Sequence, residues 1–290
     1  MLFYLREISK LAKVPLCLMV GLSTAFGYLL SHRFDQLLTM AAVSFGVVLL
    51  ACGGASLNSI QERSQDSLCA RTSKRPLVTG TLTLHLAWVI TIILITAGSC
   101  LLCISQGVSW VLFLGLFAVI IYNFIYTPLK TRTELALIPG GISGSLPPLI
   151  GWYASEGSFA NPLIWAVAAL FFLWQLPHCC LVLLEYRESA KKNNCFMNLV
   201  TRCSTARVKR IVTAWLVSFT LVVLLFTGLP GFLTQPFRTG LLLAAPLFLL
   251  FFVHQLFFRE APHYKMLFVS LNGYMICLMV LLTIGSTPQV

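Results

Sequence analysis

Charge is scarce in this chain. Only 10% of its 290 residues are Asp, Glu, Lys or Arg, against about 25% in an ordinary soluble domain. So little charge cannot clothe a water-facing surface of this size, which excludes a soluble globular protein. Carboxylates are scarcest, nine against twenty Lys and Arg. Strand-like alternation of apolar and polar residues is missing as well, which excludes a transmembrane barrel. No linker or low-complexity stretch divides the chain, so residues 1–290 read as a single polytopic membrane domain. The ten cysteines make no disulfide framework, since most lie inside apolar runs. Cys100 and Cys103 form a C-x-x-C within one such run, where small residues packing between membrane helices is a simpler reading than metal binding. No cleavable signal peptide is evident. The first apolar run follows a basic tail (Arg6, Lys10, Lys13) and reads as a retained helix.

What the chain has is apolar length. It is 58% hydrophobic with a mean hydropathy of +0.88. Roughly 20 apolar residues span a bilayer as a helix, and only helices or closed barrels satisfy their backbone in lipid. Nine such runs predict an all-α membrane protein of about nine transmembrane helices: 14–31, 36–57, 84–104, 109–127, 135–154, 161–185, 211–228, 239–257 and 266–285. The fifth is rich in Gly and Pro (Pro139, Gly140, Gly141, Gly144, Pro147, Pro148, Gly151), which predicts a kinked or broken helix. With the N-terminus in the cytoplasm, 18 of the 20 basic residues fall on the cytoplasmic side, and only Arg33 and Arg238 on the other. That split is a strong positive-inside signal. It accounts for the net charge of +11 without nucleic acid as a partner. The N-terminus is expected in the cytoplasm and the C-terminus opposite, in a bacterial cell inner membrane. The mitochondrial inner membrane is the alternative.

With so few carboxylates, their positions inform. Asn58, Glu62 and Asp66 follow the second run at four-residue intervals. On a continuing helix they share one face about 5–6 Å apart. An amide and two carboxylates offer hard oxygen ligands for Mg²⁺, which is usually held by one or two carboxylates plus substrate phosphates. Arg71, Lys74 and Arg75 follow and can neutralise a diphosphate. The plainer reading is a solvated helix end with topology-setting cations. A second segment shifts that balance: the sixth run ends in Glu185 and Glu188, one turn apart, then Lys191 and Lys192. The two acidic segments stand four spans apart, as two four-helix halves plus one further helix would place them. Facing each other, they could hold two Mg²⁺ ions on one diphosphate. Tyr122, Asn123, Tyr126, Lys130 and Arg132 end the fourth run on the same side.

At these residues the chain resembles the UbiA superfamily of intramembrane prenyltransferases. The resemblance rests on Asn58 to Asp66, RTSKRPLVTG (71–80), YTPLKTRT (126–133), GGISGSLPPLIGWYASEG (140–157), FLWQLPHC (172–179) and Tyr186 to Met197, in the family's order over roughly residues 10–285. The PPLIGW and WQLPH segments favour its haem-directed branch. The resemblance implies a UbiA-like bundle and a reaction in which farnesyl diphosphate and haem B give haem O and diphosphate. Mg²⁺ assists ionisation, a haem vinyl group attacks the allylic cation, and water completes the product. It implies catalytic roles for Asn58, Glu62, Asp66, Arg71 and Lys130. Substrate binding falls to Lys74, Arg75, Tyr126, Arg132, His178 and Tyr186. Metal binding falls to Asn58, Glu62, Asp66, Glu185 and Glu188. His178 is either a haem contact or a buried histidine bonded to a nearby carbonyl. Haem B is a substrate here, not a cofactor. The lipid bilayer, and terminal-oxidase or haem A synthesis proteins, are the implied partners.

The chain departs from the family pattern at Glu62, usually Asp, at Ser64, usually acidic, and after Tyr186, where Arg187, Glu188, Ser189 and Ala190 replace an Asp-Tyr pair. Three rival readings stay open: prenylation of another aromatic or quinone-precursor acceptor, a non-catalytic haem-handling assembly protein, and a secondary transporter. Carboxylates at the rim rather than the midplane argue against the last.

Overall fold

A computed structural model describes residues 2–31, 36–69, 72–187, 203–260 and 262–287. Among them every extended element is helical, and the sole strand-like pairing is one isolated bridge, Leu233 to Ser286. The helices are α1 (Leu2–Leu11), α2 (Val14–Leu29), α3 (Leu37–Gln61), α4 (Arg63–Asp66), α5 (Pro76–Thr79), α6 (Leu84–Gln106), α7 (Trp110–Ile120), α8 (Thr127–Leu129), α9 (Leu137–Ala154), α10 (Pro162–Glu185), α11 (Thr205–Gly228), α12 (Gln235–Phe257) and α13 (Tyr264–Gly285). A π-helical segment, Ile121–Tyr126, joins α7 to α8. Among the described residues eight helical stretches are long and apolar enough to cross a membrane, and α1 with α2, bent by 58°, gives nine if the pair is counted as one span. The bend falls at Lys13, whose φ of 51° lies in the left-handed region.

Local chemistry sets most helix ends. Thr83, Asn161 and Ser204 cap α6, α10 and α11 by accepting backbone N–H bonds with their side-chain oxygens, worth about 1 kcal/mol each. Pro at the first or second position starts α2, α5, α10 and α12, where the missing N–H costs nothing. Neighbouring helices pack into a closed ring: α2 on α3, α3 on α6, α6 on α7, α7 on α9, α9 on α10, α10 on α11, α11 on α12, α12 on α13, and α13 back on α2. The outer face carries exposed large apolar residues such as Leu38, Ile92, Leu221 and Leu247, as a lipid-facing surface requires.

The Gly- and Pro-rich fifth run is not broken. It is one continuous helix, α9, with Pro147 and Pro148 inside it and a 3₁₀ turn, Glu134–Ala136, leading in. Its small residues serve packing rather than a break. A Cβ on Gly151 would stand 1.8 Å from the Thr24 carbonyl oxygen, and one on Gly27 would stand 2.0 Å from that of Pro148. The α2 and α9 backbones therefore touch where side chains elsewhere hold helices 8–10 Å apart.

Candidate active site

The last turn of α3 carries the first acidic segment past the end of the helix. At Glu62 the backbone leaves regular helix (φ −95°, ψ 2°) and α4 begins. The four-residue register survives the break: Glu62 N–H donates to Asn58 O at 3.0 Å, and Asp66 N–H to Glu62 O at 2.8 Å. Asn58, Glu62 and Asp66 thus stay on one side, and all three are buried.

Burial of two carboxylates demands partners; two cations from separate elements supply them, and a third holds the amide. Arg75, just before α5, places Nη1 2.5 Å from Asp66 Oδ2 and 3.7 Å from Glu62 Oε2. Lys130, just after α8, pairs with Glu62 Oε1, and its ammonium lies 5.3 Å from the centre of the Tyr126 ring. Lys13, at the bend between α1 and α2, donates to Asn58 Oδ1 at 2.6 Å. Thr72 Oγ1 donates to the Asp66 carbonyl at 2.9 Å and ties the loop to α4.

The orientation of the Asn58 amide is dictated by the π-helical segment. Thr127 Oγ1 donates its only proton to the Tyr122 carbonyl, at 2.8 Å. It can therefore only accept from Asn58, whose Nδ2 lies 3.1 Å away. The amide nitrogen must face Thr127, and Oδ1 must face Lys13. A second carbonyl of the segment, that of Asn123, accepts from Gln61 Nε2 at 3.1 Å. Isolated π turns commonly mark functional sites. Here the turn hands two carbonyls to side chains and pins α7 beside the carboxylates. The Tyr122 and Tyr126 rings stack above it, centroids 5.6 Å apart.

Below this charged rim lies a chamber of about 1300 Å³, larger than the roughly 300–1,000 Å³ of an ordinary small-molecule pocket. Lys13, Asn58, Glu62, Asp66, Arg75 and Lys130 line its charged end, and Tyr122, Tyr126, His178 and Tyr186 also border it. One wall runs between α2 and α13, where Leu16, Met19, Leu22, Ile276, Val280 and Ile284 line the chamber and are exposed, so the chamber is not sealed on that side.

Several expected site residues are placed elsewhere. Glu185 is exposed, and its Oε2 accepts the backbone N–H of Lys265 at 3.1 Å. The carboxylate thus meets the start of α13, and Glu185 is not among the residues that line the chamber. Lys74 is exposed and does not line the chamber. The turn into α5 aims Arg75 inward instead. Arg132 borders a second cleft of about 310 Å³ that shares Glu62 and Gln65 with the chamber. Arg71, Glu188, Lys191 and Lys192 lie outside the described residues. Arg187 is buried and donates to the Cys203 carbonyl at 2.6 Å and to Thr205 Oγ1 at 2.7 Å, binding the end of α10 to the start of α11. Cys203 in turn donates to Glu134 Oε1 at 3.2 Å. Burial first, and then Glu134, raises the Cys203 thiol above its usual range.

Sequence reasoning missed Thr127 and took Lys13 as a topology residue only. Thr127 stood in a quoted motif, so its signal was present. For Lys13 no local pattern distinguishes it from an interfacial Lys.

The buried polar rim over an apolar chamber defines a membrane-embedded binding site for an amphiphile with an anionic head. The chain belongs to the UbiA prenyltransferase family, whose model matches residues 20–284. It is 32% identical over 224 residues to the Protoheme IX farnesyltransferase of Nitratidesulfovibrio vulgaris (strain DP4), covering 77% of each chain. Its fold is similar to a solved digeranylgeranylglyceryl phosphate synthase structure, with a TM-score of 0.74, 18% identity, and 97% and 98% of the two chains covered. It is also similar to a UbiA homologue from Archaeoglobus fulgidus bound to DMAPP and Mg²⁺, with a TM-score of 0.61, 14% identity, and 95% and 97% covered.

Proposed function

We propose that this protein is a protoheme IX farnesyltransferase, joining the farnesyl group of farnesyl diphosphate to haem B to give haem O and diphosphate. The observation that carries this reading is the pair of buried carboxylates and oriented amide, ringed by Lys13, Arg75 and Lys130 at the mouth of the apolar chamber. So many charges in so enclosed a place cost desolvation energy, and sites that concentrate them are commonly functional. The N. vulgaris relative's name supplies the substrate pair.

The donor set fits Mg²⁺. Asn58 Oδ1 and the carboxylates of Glu62 and Asp66 are hard oxygens, and the remaining positions suit phosphate oxygens. When bound, Mg²⁺ supplies Lewis-acid neutralisation of the diphosphate oxygens. The chain's own residues do the rest. Arg75, Lys130 and Lys13 stabilise negative charge as the C–O bond to the prenyl carbon breaks and diphosphate departs. Phe171, Trp174, Phe268 and the aliphatic walls keep water from the allylic cation. A haem vinyl group then attacks it, and a later water molecule completes the hydroxyethylfarnesyl group. The unsealed wall between α2 and α13 gives the prenyl tail a route from the bilayer.

Residues 1–290 act as one membrane domain in this reading. The N-terminus lies in the cytoplasm, the membrane is a bacterial inner membrane, and the product passes to haem A synthesis or terminal-oxidase assembly. The test is direct. Purified protein is incubated with haem B, farnesyl diphosphate and Mg²⁺, and products are read by mass spectrometry. Haem O is expected. Prenylation of a phenolic acid with no haem O would select another acceptor, and neither product would overturn an enzymatic reading.

A further inference from the structure

Deep in the chamber, a neighbouring amide gives the two ring nitrogens of one histidine different tasks. Asn272 of α13 donates from Nδ2 to the Phe268 carbonyl at 2.6 Å. That oxygen can only accept, so the amide nitrogen faces it and Oδ1 faces the other way. Oδ1 meets Nδ1 of His178, on α10, at 3.1 Å. An amide oxygen also can only accept, so His178 carries a proton on Nδ1, which in the neutral ring leaves Nε2 as a lone pair. Trp174 and Phe268 hold the ring from two sides, with centroids 4.6 and 4.7 Å away. The ring is not sealed in, because His178 lines the chamber and keeps partial exposure.

A histidine that only filled space would need neither the amide nor an open Nε2. An Nδ1–H bonded to an oxygen acceptor, with Nε2 open, is how imidazole is prepared to bind a metal. The outer bond selects the tautomer, fixes the ring plane and strengthens the ligand. We propose that His178 Nε2 is an axial ligand to the iron of the haem acceptor and that Asn272 positions it. This inference rests on haem B being the acceptor. His178 stands eight residues before Tyr186, roughly 12 Å deeper at 1.5 Å per residue. Iron bound there keeps the macrocycle among apolar walls while the diphosphate stays at the charged rim. A neutral amide strengthens the ring less than a carboxylate would, which suits a ligand that must release its haem after each turnover.

The experiment titrates ferrous haem B into the full chain in nanodiscs and follows the Soret band and the iron–histidine stretch by resonance Raman. Wild type is expected to give a histidine-ligated spectrum. His178→Gly should lose the stretch and bind haem at least about tenfold more weakly, and added imidazole should restore the band. His178→Gln serves in its place if the glycine variant does not fold. Asn272→Leu should lower the stretch frequency and weaken binding about tenfold, whereas Asn272→Asp should raise the frequency. A histidine-ligated spectrum in His178→Gly without imidazole overturns the assignment. A wild type that makes haem O but shows no such stretch overturns it while leaving the proposed reaction standing. A wild type that neither binds haem nor makes haem O overturns both.

Discussion

The ends of α3 and α10 carry the same kind of sequence, carboxylates at helical spacing followed by cations, yet the fold treats them differently. Glu62 and Asp66 are buried, and Arg75 and Lys130 reach them from other elements. Glu185 stays exposed and bonds one backbone N–H of α13, while Arg187 next to it turns away to bind Cys203 and Thr205. Helical spacing brings carboxylates together, but a site forms only where the chain also encloses them and delivers opposite charge. An exposed carboxylate contributes little; a buried, paired one is held in place for chemistry.

The comparison is broken or sharpened by substitution at each end. The largest effect is expected from Asp66→Ala, which should cut haem O formation at least about a thousandfold, equivalent to about 4 kcal/mol, while the bundle still elutes as a folded species. Wild-type turnover in that variant would sink the metal-site assignment. Lys130→Ala should follow with a loss of about a hundredfold, partly recovered in Lys130→Arg, as measured by kcat/KM for farnesyl diphosphate. It removes a cation from the leaving group and strands Glu62. Thr127→Val should weaken Mg²⁺ binding about tenfold, read by displacement of Mn²⁺ in electron paramagnetic resonance, and Thr127→Ser should not. In an Asn58→Asp background the Thr127→Val effect should vanish, because a carboxylate has oxygen on both sides and needs no orienting. A persistent tenfold loss there would show that Thr127 acts otherwise than through the amide. The smallest effect belongs to Glu185→Gln, expected to change turnover less than about threefold. A large loss would return α10's carboxylate to the site.

Much of the fold was legible because lipid permits few solutions. Apolar runs of spanning length must become helices, and Leu84–Gln106 or Tyr264–Gly285 begin and end close to where hydropathy places them. Asn58, Glu62 and Asp66 were legible as a set because the four-residue interval carries across the irregular turn at Glu62. Arg75 and Lys74 were indistinguishable by composition; only the turn into α5 decides which one points inward. The Gly-rich fifth run misled for a similar reason. Glycine signals either a break or a close approach, and the partner helix at Thr24 and Gly27 is invisible along the chain.

By itself, then, the sequence determined the membrane character, the all-helical class and the scarcity of carboxylates that made each one informative, since these follow from composition and local spacing. Tertiary structure decided which charges became a site. Pairing Lys13 with Asn58 spans 45 residues, Thr127 with Asn58 spans 69, and His178 with Asn272 spans 94. No local pattern encodes such meetings. They arise when packed helices bring distant polar groups into one enclosure, where each must find a partner.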